Sequence, residues 1–193
     1  MMLEVERKFR VSEATDLTRR LREAGAQPGP IECHGDTYYR HPCRDFVRTG
    51  EAFRVRRIND VASVTYKGPK LAVDDEALKA REEIEWCLAP EDADGNKMER
   101  LLVSLGFEAV TTVRKNRISH RWTEGHEWAA VTVTLDDVEQ VGSFAEIELL
   151  VDDSEADALT HAAEQIERLA GQLDLRDRIR ESYLELLLAQ LGQ

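Results

Sequence analysis

The sequence predicts an α+β fold: a closed, eight-stranded antiparallel β-barrel with a polar, charged lumen and flanking helices. Three observations lead there. The stretches between helical segments hold about eight strand candidates, enough for a sheet to close on itself. In five of those candidates charged residues sit two apart with other residues, mostly apolar, between them, so each strand would present one charged face and one largely apolar face. Amphipathic helices are interspersed, and their apolar faces suit the outside of such a barrel. The 193 residues fit one domain, 1–193, long enough to bury about two thirds of the unfolded surface.

In chain order, residues 3–11 alternate in character and read as a strand. Ser12 is positioned to cap a helix whose Ala14, Leu17 and Leu21 share a face and which Gly25 closes. Strand candidates follow near 31–40, 51–58, 61–67 and 81–88, divided by turn-rich or charged stretches at Pro42 to Gly50 and Gly68 to Lys79. Pro90 suits the first turn of a second helix, on which Met98, Leu101, Leu102 and Leu105 recur at helical spacing before Gly106. Strands resume near 108–122, 127–136 and 143–151, with Gly125 and Gly142 in the connections. Ser154 is read as the cap of a third helix through Ala158, Leu159, Ala162, Ile166 and Leu169, ending at Gly171. A last helix near 178–190 carries Ile179, Tyr183, Leu186 and Leu187.

The charged faces carry the chemistry. Glu4-Val5-Glu6-Arg7-Lys8-Phe9, Arg54-Val55-Arg56, Glu83-Ile84-Glu85-Trp86 and Glu146-Ile147-Glu148-Leu149 share one pattern, with Lys115-Asn116-Arg117-Ile118 a looser version. A single pair of this kind is read first as a solvent-facing strand with its charges outward. Five together, with helices to cover the apolar faces, predict an inside-out barrel. Its lumen would hold Glu4, Glu6, Glu83, Glu85, Asp136, Glu146 and Glu148 against Lys8, Arg54, Arg56, Lys67, Lys115 and Arg117. Arginine grips phosphate oxygens with a planar fork and lysine offers a point charge, whereas carboxylates repel phosphate directly. A hard cation such as Mg²⁺ or Mn²⁺ reconciles the two, since carboxylates bind it from one side and phosphate oxygens from the other. The mixture therefore points to a polyphosphate bridged by divalent metal.

Composition narrows the partners. A formal net charge of -12 argues against a general nucleic-acid or anionic-membrane surface, so phosphate must be met locally by clustered cations. No apolar run approaches membrane-spanning length, and Met1-Met2-Leu3 leads straight into charged residues, so a cytoplasmic location is expected. Cys33, Cys43 and Cys87 are odd in number and lack zinc spacing, which reads as small apolar residues in a reducing compartment. The five histidines show no paired metal spacing and are read as ordinary surface or core residues. Exposure of Trp86, Trp122 or Trp128 would support a dimer, and either a monomer or a homodimer fits the sequence.

Glu4-Val5-Glu6-Arg7-Lys8 resembles the E-x-E-x-K signature that opens the CYTH, or triphosphate tunnel, superfamily of class IV adenylate cyclases (CyaB-like) and thiamine triphosphatases. The resemblance continues through Asp36-Thr37-Tyr38-Tyr39, His41 to Phe46, Phe53-Arg54-Val55-Arg56, Thr65 to Lys70, Arg81 to Glu85, Lys115-Asn116-Arg117, Leu135-Asp136, Gly142 to Glu148 and Ser182 to Leu187. It implies Glu4, Glu6, Glu146 and Glu148 as metal ligands, with Asp136 supporting a second metal, and Mg²⁺ or Mn²⁺ as the cofactor. It implies Lys8, Arg54, Arg56, Lys67, Lys115 and Arg117 as the triphosphate-binding set. Glu83, Glu85 and Lys67 are the candidate catalytic residues, the two carboxylates as metal ligands or orienters of a nucleophile. The loop around His41 is expected at the tunnel mouth. One departure is visible: members of the family often place a basic residue directly before the Ser-Tyr pair, where this chain has Glu181, with Arg180 and Arg178 the nearest substitutes.

The implied substrate is a triphosphate: ATP, inorganic triphosphate or thiamine triphosphate. In a cyclase the ribose 3′-hydroxyl of ATP attacks the α-phosphate and pyrophosphate leaves; in a triphosphatase water attacks the terminal phosphate. The segments His41 to Phe46 and Lys67-Gly68-Pro69-Lys70 resemble the cyclase branch most, with the triphosphatase as the alternative. A non-catalytic polyphosphate- or nucleotide-binding module is the reading from a different class.

Overall fold

The computed structural model describes residues 2–71, 78–152 and 157–192. Its strands are β1 (Met2–Arg10), β2 (Gln27–Arg40), β3 (Ala52–Ile58), β4 (Val61–Lys67), β5 (Lys79–Cys87), β6 (Glu108–Arg121), β7 (Val131–Val138), β8 (Gly142–Asp152) and the two-residue β9 (Arg178–Ile179). The helices are α1 (Ala14–Glu23), α2 (Phe46–Thr49), α3 (Asn96–Ser104), α4 (Ala158–Gln172) and α5 (Tyr183–Gln190). The sheet runs β5-β4-β3-β2-β6-β7-β8-β1, and β1 pairs with β5 to close an eight-stranded, antiparallel barrel; β9 adds a short pairing to β1.

Closure removes every sheet edge, and alternation then sorts side chains between lumen and exterior. Val5 and Phe9 of β1, Val131 and Val133 of β7, and Ala145, Ile147 and Leu149 of β8 face outward. They form the main core with Leu17 and Leu21 of α1 and Ala162, Ile166 and Leu169 of α4. Each large side chain so buried stabilises the fold by about 1.5–3 kcal/mol. Arg7 lies on the same outer face, buried beneath α4, where it pairs with Glu167. Helices thus cover much of the apolar outside, leaving Ile84 and Trp86 of β5 exposed, and the charged faces turn inward.

Several local expectations are corrected. Ser12 does not cap α1: Glu13 occupies the cap position and contributes no side-chain bond, because the helix starts one residue later than Ser12 requires. Pro90 lies in the turn before α3, which begins only at Asn96, where the Asp92 carboxylate accepts from the N–H groups of Lys97 (2.9 Å) and Met98 (2.8 Å). β7 starts at Val131, since residues 127–130 form a turn that sinks Trp128 into the core. The last helix is shorter than its apolar spacing implied, because Arg178 and Ile179 pair with β1 and Ser182 caps α5 with Glu185 in a reciprocal capping box. The proposed cap at Ser154 lies outside the described residues. All three cysteines are exposed rather than packed, and Trp122 and Trp128 are buried while Trp86 is 51% exposed. No helix among the described residues is long and apolar enough to cross a membrane.

Candidate active site

α5 stoppers one end of the barrel. Its Tyr183 and Leu187 pack against lumen-facing Phe144, Val138, Val113 and Tyr38, with the Phe144 and Tyr183 rings 5.2 Å apart. The other end opens as a cavity of about 440 Å³ whose lining includes His34, Arg56, Arg117 and Glu148. The loop at His41 follows the far end of β2, beyond Tyr38, where His41 packs edge-on to Phe107 at 5.0 Å; it therefore sits at the plugged end rather than at the open cavity.

Between the ends, all the charged residues singled out by alternation share the lumen, and strand register decides what each one meets. Across β1 and β8, Lys8 stands opposite Glu146, and the two form an ion pair of 3.3 Å. One step along the same face, Glu6 stands opposite Glu148, a juxtaposition of like charges that ordinarily destabilises a sheet. Glu4 completes the group: carboxylate oxygens of Glu4, Glu6 and Glu148 lie within 4.8 Å of one another. Burial, with Glu6 and Glu83 adding negative charge, pushes Glu4 up to about 8 despite Lys67. Burial likewise raises Glu148, with Glu146 and Glu6 contributing. Glu6 is also buried, but Lys79, Lys67 and Lys8 outweigh that and hold it below the usual carboxylate range. Lys67 Nζ bridges the trio to β5, 2.5 Å from both Glu4 and Glu83.

The opposite wall is organised around two aspartates. Asp36 accepts from Arg56 Nε (2.8 Å), Arg56 Nη2 (2.9 Å) and Arg54 Nη1 (3.1 Å). Asp136, at 0% exposure, accepts from Arg117 Nε (2.6 Å) and Nη2 (2.5 Å), Lys115 Nζ (3.1 Å) and the Tyr183 hydroxyl (2.8 Å). Register again supplies the reason, since Arg56 lies opposite Asp36 and Arg117 opposite Asp136. Forked guanidinium–carboxylate pairs of this kind are rigid as well as strong. Arg117 Nη2 also reaches Glu146 at 2.5 Å. Lys8 and Lys115 sit over the Tyr183 ring, 3.8 and 5.0 Å from its centroid. Burial lowers both lysines to about 8, helped by Lys79 in the first case and Arg117 in the second.

Glu85 accepts from Thr65 Oγ1 at 2.5 Å and lies 4.0 Å from Arg56, so it belongs to the β4–β5 side of the lumen. Of the five carboxylates expected to hold metal, three converge; Glu146 and Asp136 are instead engaged by Lys8, Lys115 and Arg117. Sequence reasoning did not single out Asp36, Tyr183, His34, Lys79 or Arg81 as site residues. Lys79 and Arg81 were within reach of the same alternation, because 79, 81, 83 and 85 share the lumen face of β5, and Lys79 Nζ bonds Glu6 at 3.1 Å. Of the substitutes for the missing basic residue, Arg178 bonds Glu167 of α4 at 2.7 Å, and it is the Glu181 backbone carbonyl that meets Lys8, at 3.2 Å.

A family model described as the CYTH domain matches residues 2–183. A curated protein of Methanocaldococcus jannaschii, named as a candidate adenylate cyclase, is 33% identical over 186 residues, covering 96% of this chain and 98% of the relative. A solved structure of a Pyrococcus horikoshii protein superposes with a TM-score of 0.81 at 38% identity, over 97% of this chain and 99% of that one. A candidate adenylyl cyclase from Hippeastrum, whose dominant activity is that of a triphosphatase, shares the fold with a TM-score of 0.64 at 17% identity, over 100% and 97% of the two chains.

Proposed function

We propose, since the chain belongs to the CYTH domain family, that it is a divalent-metal-dependent enzyme acting on a triphosphate, of the class IV adenylate cyclase type that turns ATP into cyclic AMP and pyrophosphate. The observation that carries this reading is the like-charge trio of Glu4, Glu6 and Glu148 facing a wall of cations within one tunnel. The trio fits a hard cation: it offers oxygen ligands only, and the upward push on Glu4 and Glu148 is relieved when a cation enters. Mg²⁺ or Mn²⁺, when bound, neutralises phosphate charge and polarises the phosphoryl groups.

The chain's own residues do the rest. Arg54, Arg56, Lys115 and Arg117, held in place by Asp36 and Asp136, bind the triphosphate oxygens and meet the charge that grows on them during transfer. Lys8 and Lys67 link that wall to the carboxylates. Arg54 Nε, Arg81 Nε and Thr134 Oγ1, buried on lumen faces without a hydrogen-bond partner among the described residues, are further donors awaiting acceptors. The α5 plug closes one end, so substrate enters from the cavity beside Arg56, Arg117 and Glu148. A second reading is favoured by Glu83 and Glu85, lumen carboxylates outside the trio that are suited to orienting a water against the terminal phosphate of inorganic, thiamine or nucleoside triphosphate.

Chromatography of products after incubation with Mg²⁺ or Mn²⁺ and each of ATP, inorganic triphosphate and thiamine triphosphate tests both. Cyclic AMP with pyrophosphate is expected. Free phosphate without cyclic product would replace the cyclase by the triphosphatase, and no turnover of any of the three would sink the enzyme reading.

A further inference from the structure

His34 is the one histidine on the lumen face, two residues before Asp36 on β2 and opposite both Ile58 and Lys115. Its side chain is 2% exposed, and its Nε2 lies 2.9 Å from Glu32 Oε2. Its Nδ1 is buried with no hydrogen-bond partner among the described residues. The ring forms part of the wall of the open cavity, together with Arg56, Arg117 and Glu148.

A carboxylate can only accept from a histidine nitrogen, so Glu32 fixes the proton on Nε2. In the neutral ring Nδ1 is then an acceptor. The groups that face the ring keep it neutral: burial, then Lys115, Arg56 and Arg117, outweigh Glu32 and lower it to about 4. An acceptor nitrogen ringed by cations has a narrow choice of partner. Phosphate oxygens carry no proton to give, and a cationic donor is repelled by the same lysine and arginines. A neutral hydroxyl satisfies both conditions. In a nucleoside triphosphate such hydroxyls lie on the sugar, directly beyond the phosphates. Further out the cavity wall turns to Pro28, Pro30, Ile58 and Trp122, apolar surface on which a flat base can rest.

We propose that the open mouth is a nucleoside subsite in which His34 Nδ1 accepts a hydrogen bond from a ribose hydroxyl, with Glu32 holding the imidazole in that tautomer. The assignment rests on the nucleotide reading above and adds to it a residue that tells a ribose from a deoxyribose or from bare triphosphate. Glu32 acts as a positioning residue.

Calorimetric titration in Mg²⁺ tests it with four ligands: α,β-methylene ATP, its 2′-deoxy and 3′-deoxy counterparts, and the non-hydrolysable imidotriphosphate. The wild-type protein should bind the ribonucleotide about tenfold more tightly than at least one deoxy counterpart, the worth of one buried hydrogen bond. His34→Leu should erase that preference while imidotriphosphate affinity stays within about twofold, which also shows that the tunnel is folded. His34→Asn, whose amide can stand near the position of Nδ1, should restore part of it. Equal binding of ribo- and deoxynucleotides by the wild type, or a preference that survives in His34→Leu, would overturn the assignment and leave Nδ1 to water. A parallel loss of imidotriphosphate in His34→Leu would overturn it too, as a general disturbance of the tunnel. Imidotriphosphate binding without nucleotide binding would remove the subsite but keep the triphosphate tunnel, whereas binding of none of the four would fell both.

Discussion

The wall formed by β2, β3, β6 and β7 and the wall formed by β1 and β8 are built from the same residue types and reach opposite electrostatic states. On the first, each aspartate is locked between cations: Asp36 with Arg54 and Arg56, Asp136 with Arg117, Lys115 and the Tyr183 hydroxyl. On the second, Glu6 faces Glu148 with Glu4 alongside, and burial disfavours the ionised forms of Glu4 and Glu148. A polar lumen thus divides its labour between its two walls. Carboxylates already matched by arginine are scaffold, fixing the angle of the forks that remain available to an anion. Carboxylates facing one another, met by single lysines, Lys67 on Glu4 and Lys79 on Glu6, are suited to a further positive charge, and the fold tolerates them because the core outside the barrel supplies the stability.

The largest effects are expected when one anchor is removed from each wall. Asp136→Asn leaves Lys115 and part of Arg117 buried without their counter-charge, so unfolding stability should drop by about 3–5 kcal/mol in denaturant titrations. Saturating imidotriphosphate should return part of that loss, because an anion then stands in for the aspartate. Stability unchanged by the substitution would mean that Asp136 is not scaffold. Glu148→Gln should behave in the reverse sense. Metal-free stability should hold or rise by up to about 1 kcal/mol, since a like-charge cross-strand pair is relieved. Metal-dependent turnover should fall by on the order of a hundredfold, corresponding to about 2.7 kcal/mol of lost charge stabilisation. Full activity in this variant would take Glu148 out of the proposed cation site.

Most of the barrel was legible because alternation is a local property. Val5 and Phe9 against Glu4, Glu6 and Lys8 specify which face is which before any partner strand is known. The split between arginine-matched and like-charge carboxylates was not legible, because Glu146 and Glu148 are indistinguishable in sequence. They differ only in what register sets opposite them, Lys8 for one and Glu6 for the other. Asp36 escaped for a related reason: flanked on its face by His34 and Tyr38, it has no charged neighbour two residues away to flag it. Tyr183 reaches the lumen only because α5 docks into the barrel end, a tertiary event that leaves no mark in the helix's own periodicity. Pro90 and Ser12 misled as helix starts because α3 begins only after Gly95, with the Asp92 carboxylate meeting its first N–H groups, and because Glu13 holds the cap position of α1.

A smaller effect separates the two walls through pH. Lys115, lowered to about 8 by burial and Arg117, is charged in the folded protein only below that value, while the unfolded chain holds its proton to about 10.5. Between those two values the folded state binds fewer protons than the unfolded state, so this lysine makes stability rise as pH climbs from about 8 to 10.5. Triphosphate affinity should run the other way, flat below about 8 and falling by up to about tenfold per pH unit above it as the cation is lost. Lys8 adds a second transition in the same range. Lys115→Arg should keep its charge throughout and flatten its share of the decline. An affinity profile identical in wild type and variant would show that Lys115 does not meet the phosphates.

The mildest perturbation acts through the plug. Ser182 caps α5, accepting from the Glu185 N–H at 3.2 Å while the Glu185 carboxylate accepts from the Ser182 N–H at 2.6 Å. Removing the hydroxyl in Ser182→Ala should cost about 1 kcal/mol, read as a small drop in thermal stability. Because α5 carries Tyr183 against Asp136 and Lys115, and against Lys8, which pairs with Glu146 outside the trio, that cost should be felt there and not at the carboxylate trio. A double-mutant cycle with Tyr183→Phe separates the two: the cap and the Tyr183 hydroxyl should couple in stability and in imidotriphosphate affinity, while Mn²⁺ affinity stays the same in all four proteins. Coupling that appeared in Mn²⁺ affinity instead would mean that the two walls are one unit, and that the plug helps to hold the trio together.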